Sequence, residues 1–427
     1  MKFETADMAK SNIEKIEKLF PNCITESPDG KGGLKRAVNF ELLRQMLSED
    51  VVEGDEAYEF TWVGKKAAIV EVNKPIRKTL RPCPEESVNW DHTENLYIEG
   101  DNLEVLKLLQ ESYLGKVKMI YIDPPYNTGN DFIYRDDFAR SAEEYAEDAG
   151  VYDEDENRLF KNTDSNGRFH SDWCSMMYSR LMLARNLLSE DGVIFISIDD
   201  NEQENLKKIC DEVFGAQNFE SCIAWKRRTN QPNDKSKMIA KVYENILVYA
   251  KNNFILTKNH GYYGVPLTET RKKEYKNSDN DPRGPWSTNP WKAATGRGGT
   301  RYKITTPTGI EYDEVWYGTK KTFQSLLINN RVHWTDSGNG FPRIKIYLSD
   351  AEKTGQAATN FFTTDRYGSN QEGSAQIDEL FQEKGIFDNP KPVRLVKSFV
   401  QLADSPSKIN VGEIFKLLAP DTRVKVI

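Results

Sequence analysis

Histidine and cysteine are scarce in this 427-residue chain, and neither is spaced to bind metal. The four histidines form no ligand cluster, and the five cysteines (Cys23, Cys83, Cys174, Cys210, Cys222) lack the paired spacing of a zinc site. A structural zinc centre is therefore not expected, and unpaired thiols fit a reducing cytoplasm. Long apolar runs are missing too. No stretch is long enough to span a membrane, and the N-terminus does not read as a signal peptide. The chain also lacks an overall basic excess: 58 Lys and Arg face 66 Asp and Glu, for a net charge of −8. That balance is uneven. Residues 224–303 carry 17 basic against 6 acidic side chains, while the remainder carries 41 against 60. Such concentration is the electrostatic footprint of phosphate contacts, with an ordinary solvated face as the alternative.

The most informative stretch that is present is Asp123-Pro124-Pro125-Tyr126. It follows the apolar run Val117, Met119, Ile120 and Ile122, which reads as a buried strand. Two prolines stop that strand and hold the backbone extended. Asp123 and the Pro124 carbonyl can then face one point beyond the strand's C-terminal end, where open α/β sheets bind ligands. Two acceptors beside an aromatic ring suit the exocyclic amino group of a flat base. By accepting its N–H bonds they favour a pyramidal nitrogen and stabilise the charge that grows as a methyl group arrives. Tyr126 is placed to stack on a base taken out of the duplex. The bland alternative is a Pro-Pro turn at a strand end.

The remaining organisation follows from periodicity and composition. Residues 1–90 form an acidic, partly helical N-terminal region, with Ile13, Ile16, Leu19 and Phe20 at helical spacing. A strand is expected at Leu96–Ile98, leading through Gly100 and Asp101 into a helix marked by Leu103, Leu106, Leu109 and Tyr113. Residues 134–166 are polar, with eight acids between Glu143 and Glu156, and are expected to form a mobile, solvated insert, with a lid closing over the flipped base as the alternative. A second α/β unit comprises a helix over 173–188, the strand 193–199, a helix over 201–214 and a strand over 245–250, with Asp199 and Asp200 as supporting or capping carboxylates. From about 255 to 370, aromatic, Gly, Asn and Arg/Lys residues interleave. Gly296-Arg297-Gly298-Gly299-Thr300-Arg301 reads equally as a basic loop at DNA or as a turn between strands.

These features together resemble the modification (Mod) subunits of type III restriction-modification systems, which are β-class adenine-N6 DNA methyltransferases. The resemblance rests on Phe60 to Lys66, Thr93 to Leu103, Lys116 to Phe138, Asp281-Pro282-Arg283-Gly284 and Asn389-Pro390-Lys391-Pro392. It implies an α/β fold: a Rossmann-like sheet of the S-adenosylmethionine-dependent methyltransferase type, permuted with the catalytic half first and carrying an inserted target-recognition domain. The implied divisions are an N-terminal region at 1–90, the catalytic half at 91–254, the recognition domain at 255–370 and the start of the cofactor-binding half at 371–427. The resemblance also implies S-adenosylmethionine as cofactor, double-stranded DNA as substrate, a homodimer, and a type III restriction (Res) subunit as partner. Asp123, Pro124, Pro125 and Tyr126 become the catalytic residues, Asp101, Asp123, Lys391 and Pro392 the cofactor-proximal ones, and Arg283, Arg297 and Arg301 the DNA contacts.

One family feature is lacking. The Phe-x-Gly-x-Gly turn that follows a strand in β-class enzymes is not found, and residues 404–422 fit the pattern poorly. That strand is expected to begin only near Arg423, which would leave the strand presenting Asp123 with an unpaired edge. A truncated or frameshifted product is the favoured explanation, beside a split protein and a divergent pocket. The functional alternatives are a catalytically incomplete DNA-binding remnant and a cytosine-N4 methyltransferase.

Overall fold

A computed structural model describes residues 8–28, 34–40, 43, 59–129, 132–134, 159–161, 169–230, 238–260, 265–387, 389–403 and 414–417. The chain forms two compact units, Met1–Gly261 with Thr359–Ile427, and Tyr262–Ala358.

The first unit is built on a six-stranded mixed sheet. Its strands are β1 (Val117–Ile122), β2 (Leu188–Ile198), β3 (Phe219–Lys226), β4 (Tyr243–Ala250), β5 (Phe361–Phe362) and β6 (Ile414–Leu417), in the spatial order β5-β3-β4-β2-β1-β6. β1 runs parallel to both β2 and β6, whereas β4 is antiparallel to β2 and β3. β1 and the Val193–Ile198 part of β2 are almost wholly apolar, apart from Lys118 and Ser197, because helices cover both faces of the sheet. On one face, Ile120, Ile122, Ile194 and Ile196 pack with Ala68 and Val72 of α1 (Lys65–Asn73), Leu103, Leu106 and Leu109 of α2 (Asn102–Tyr113), and α3 (Phe169–Leu187). On the other, Tyr121 and Phe195 meet Phe399 of α5 (Val393–Ala403), Phe195 and Phe399 stacking with centroids 4.6 Å apart. Strand alternation therefore sends Asp123, two residues after Tyr121, toward the α5 face. The helix α4 (Gln203–Cys210) follows β2.

Two expectations are corrected. Leu96–Ile98 is not a strand; Leu96 is 64% exposed, and only Ile98 packs against the core. Three apolar-leaning residues bury too little to hold a strand against solvent. The edge of β1 is not left open either, since Ile414–Leu417 pairs with Met119–Ile122 in parallel register. Backbone pairing makes no demand on the family's side-chain pattern, so a stretch that matches it poorly still fills the position. Elsewhere the helix expected at 173–188 spans Phe169–Leu187, and the one expected at 201–214 is α4 followed by a π turn over Asp211–Gly215. Of the acidic stretch 134–166, only Tyr134 and Leu159–Lys161 are described, the latter pairing antiparallel with Phe132–Tyr134; the eight acids lie outside the described residues.

The second unit holds a three-stranded antiparallel sheet, with Pro342–Tyr347 between Val332–Trp334 and Trp286–Pro290, and a hairpin of Thr300–Thr305 with Glu311–Trp316. Trp291, Ile304, Trp316, Phe323, Val332 and Ile344 form its core. It closes at Ala358, and residues 361–362, expected within it, pair instead with β3. Among the described residues no helix is long and apolar enough to cross a membrane. No group of three or more His, Cys, Asp or Glu residues among them is placed to hold a metal ion.

The first-unit core sets stability through α3. Leu181, fully buried there, is expected to cost about 2–5 kcal/mol when replaced by alanine. Urea unfolding of Leu181→Ala checks this by a lowered midpoint at unchanged slope.

Candidate functional site

β1 ends where two prolines remove backbone donors, and the chain continues as a buried ledge: Pro124 and Pro125 are buried, Asp123 and Tyr126 half-buried. Trp173 of α3 fixes the ledge by donating from Nε1 to the Pro125 carbonyl at 2.8 Å. No donor among the described residues reaches the Pro124 carbonyl. Asp123 accepts from the Tyr126 hydroxyl at Oδ1 (3.0 Å) and from Lys391 Nζ at Oδ2 (3.0 Å). An ionised carboxylate offers about four lone-pair sites, so acceptor capacity remains on both oxygens.

Lys391 reaches this point because its segment lies flush on the helix Asn370–Phe381. A Cβ on Gly373 would come within 2.3 Å of the Pro390 carbonyl oxygen, and one on Gly368 within 2.8 Å of Pro392 Cβ. The Lys391 side chain is only 4% exposed and sits between two carboxylates, Asp123 and Glu244, the latter at 3.5 Å. Burial would pull its pKa down, but the two carboxylates outweigh burial and raise it above the ordinary lysine value. Glu244, itself buried at the start of β4, also receives Arg227 Nη1 at 2.8 Å and lies 3.3 Å from the Tyr126 hydroxyl. Two cations thus balance two anions. The Tyr126 phenol is pushed well above its ordinary pKa, by burial first and then by Asp123 and Glu244, so it serves as a neutral donor. Lys391 Nζ lies 5.4 Å from the centroid of its ring.

The structure therefore brings Asp123, Pro124, Pro125, Tyr126, Lys391 and Pro392 to one end of the sheet. Asp101 caps α2, accepting from the Glu104 amide at 2.9 Å. Asp199 accepts from both the backbone and side chain of Asn201, while Asp200 pairs with Lys241; α4 has Glu202 at its N-cap instead of either aspartate. Sequence reasoning missed Glu244 and Arg227. The one available signal was a carboxylate opening an otherwise apolar strand.

The three arginines expected at DNA differ in their surroundings. Arg283 grips Asp281 with Nε (2.9 Å) and Nη2 (2.8 Å) and donates to the carbonyls of Asn329 and Asn330. Asp281, also receiving Tyr347 and Lys345, is held well below the usual carboxylate range, Arg283 being the largest cause. Arg283 is thus a brace within its own unit, and four of its five donors are spoken for. Arg301 pairs with Asp313 across the hairpin, as Lys303 does with Glu311, and Lys292, before the hairpin, pairs with Glu314. The acids of 311–314 offset part of the basic excess at 224–303. Arg297 is exposed on the glycine-rich turn, and no carboxylate among the described residues pairs with it.

A DNA methylase family model (N6/N4 type) matches residues 117–411, from β1 through the Lys391 segment. The chain belongs to this DNA methylase family. Among curated relatives of this methylase, the StyLTI Mod subunit of a type III restriction-modification enzyme from Salmonella typhimurium is 37% identical over 380 residues, 87% of this chain and 56% of that protein. The EcoP15I Mod subunit from Escherichia coli is 32% identical over 445 aligned residues, 94% of this chain and 65% of that protein. The resemblance to type III Mod subunits is therefore shown, and the chain spans 56% and 65% of these relatives' lengths. Among solved structures, PvuII DNA methyltransferase (cytosine-N4-specific) overlaps 36% of this chain and 49% of that one at 15% identity, with a TM-score of 0.24, a likeness too slight to argue from.

The arginine environments yield a direct comparison. Arg283→Ala strips the buried Asp281 of its main partner and is expected to lower the methylase's thermal midpoint by several degrees. Arg297→Ala is expected to leave that midpoint unchanged. Parallel thermal melts of the two variants check this.

Proposed function

We propose that this methylase acts as the modification subunit of a type III restriction-modification system, transferring a methyl group to adenine N6 in double-stranded DNA. The observation that carries the reading is Asp123 at the end of a parallel strand, beside the Pro124 carbonyl and 3.0 Å from buried Lys391.

The chain's own groups perform most of the work in this scheme. The amino lone pair of adenine is delocalised into the ring. Asp123 and the Pro124 carbonyl each accept one amino N–H bond, which pulls density back to nitrogen and opposes the positive charge that builds there. Lys391 and Tyr126 hold Asp123 in one orientation, so reorganisation at the moment of transfer is small. After transfer, an Asp123 oxygen stands to take the proton the nitrogen must shed and hand it to solvent. Tyr126 also offers a ring against the flipped base, worth about 1–3 kcal/mol where such stacking forms.

S-adenosylmethionine fits the donor set at this end, because a half-buried carboxylate beside acceptor-rich backbone suits a cationic sulfonium. When bound, it supplies an electrophilic methyl group. Asp123 would face its reactive end, with Lys391 holding that carboxylate in place and Pro392 beside it, and Asp101 is the further candidate on the adenosine side. The second unit, with Arg297 exposed, serves as the target-recognition domain. A homodimer and a Res subunit are the partners this reading carries over from the Mod relatives.

Two other readings remain distinguishable. A catalytically incomplete remnant binds DNA without saturable S-adenosylmethionine binding, and a cytosine-N4 enzyme yields N4-methylcytosine. Incubation with labelled S-adenosylmethionine and unmethylated bacterial DNA, followed by nucleoside analysis, is expected to give N6-methyladenine. Asp123→Ala is expected to lower that rate by about a thousandfold or more while DNA affinity stays within twofold of wild type, as read by filter binding. An equal collapse of DNA binding sinks the role given to Asp123. For Arg297→Ala, affinity is expected to fall uniformly across DNA sequences and the log–log salt slope to drop by about 1, measured by titration across ionic strengths.

A further inference from the structure

Four residues past Asp123, the chain is held by a carboxylate that the scheme above does not use. Glu202 is fully buried at the N-cap of α4, yet its side chain caps nothing in that helix. Its oxygens bind side chains instead of helix amides. Oε1 accepts from Asn127 Nδ2 at 2.5 Å and pairs with His170 Nδ1 at 2.7 Å, and Oε2 accepts from Asn205 Nδ2 at 2.8 Å. Against a carboxylate, His170 Nδ1 must be the donor.

Asn127 is the residue that needs holding. It directly follows Tyr126, is 1% exposed, and adopts a left-handed backbone with φ of 58°. That conformation is costly for a residue with a side chain unless local bonds favour it. Asn127 also donates to the Phe169 carbonyl at 3.4 Å. With Trp173 bonded to the Pro125 carbonyl, the start of α3 and the start of α4 grip the ledge at two points just beyond Asp123. A fully buried carboxylate has a high desolvation cost, which three donors offset here. An apolar residue would fill the same space without that cost but could not orient an amide.

We infer that Glu202 is a positioning residue for methyl transfer, locking Asn127 in its left-handed conformation and so fixing where Asp123 and the Pro124 carbonyl point. The inference deepens the proposed function and rests on it for its catalytic consequence. Its structural consequence stands separately: without the Glu202 charge, the ledge from 123 to 127 relaxes.

The test pairs Glu202→Gln, which places an amide against three donors, with Asn127→Ala, which removes the same link from the other side. In steady-state methylation of unmethylated bacterial DNA by the full chain, each variant is expected to lower kcat about tenfold, the effect of a modest misplacement. KM for DNA should stay within twofold, and the double variant should be no slower than the slower single one. A crystal structure of Glu202→Gln is expected to show residue 127 out of the left-handed region. Wild-type kcat in either variant, multiplicative losses in the double variant, or an unmoved 123–127 backbone each overturns the inference. If the wild-type protein transfers no methyl at all, the proposed function fails instead, and the backbone of the variant crystal decides for or against Glu202 alone.

Discussion

The buried ammonium of Lys391, shared between Asp123 and Glu244, is the interaction on which the site depends. Two carboxylates and a tyrosine hydroxyl converge in a place with little solvent, where like charges repel strongly. Lys391 supplies the countercharge at Asp123, and Arg227 supplies it at Glu244. The result is neutral overall and polar throughout, so its parts keep their directions instead of collapsing on one another. A carboxylate free in water would be as charged and far less oriented.

The fold delivers these groups by simple rules. Parallel β1 and β2, buried on both faces, end together, and strand alternation aims Asp123 at the face covered by α5. The glycines at 368 and 373 let the Lys391 segment approach more closely than any side chain would allow. Each step is a packing constraint of ordinary kind, and the chemistry lies only in what stands at the end of the strand.

Much of this could be read from residues alone, and the exceptions have physical causes. The Asp-Pro-Pro-Tyr segment is legible because local rules govern it: an apolar run, two prolines and a carboxylate lie within ten positions. Lys391 was reached through family resemblance, since no local signal brings a residue 268 positions away to Asp123. Glu244, Arg227 and Glu202 stayed hidden because sheet pairing and helix placement decide their burial. Arg283 was carried over by the motif match, which does not say that its guanidinium is bonded within its own unit. The strand beside β1 is invisible to side-chain pattern because hydrogen bonding of the backbone is what fills an edge.

The wide sequence separation of Asp123, Glu244 and Lys391 has a consequence for biosynthesis. As the chain leaves the ribosome, the two acids emerge long before the lysine that reconciles them, and the whole Tyr262–Ala358 unit must be made in between. Arg227 is by then in place for Glu244, but Asp123 still lacks the ammonium that holds it. A partial product that stops before Lys391 therefore lacks the cation that orients Asp123.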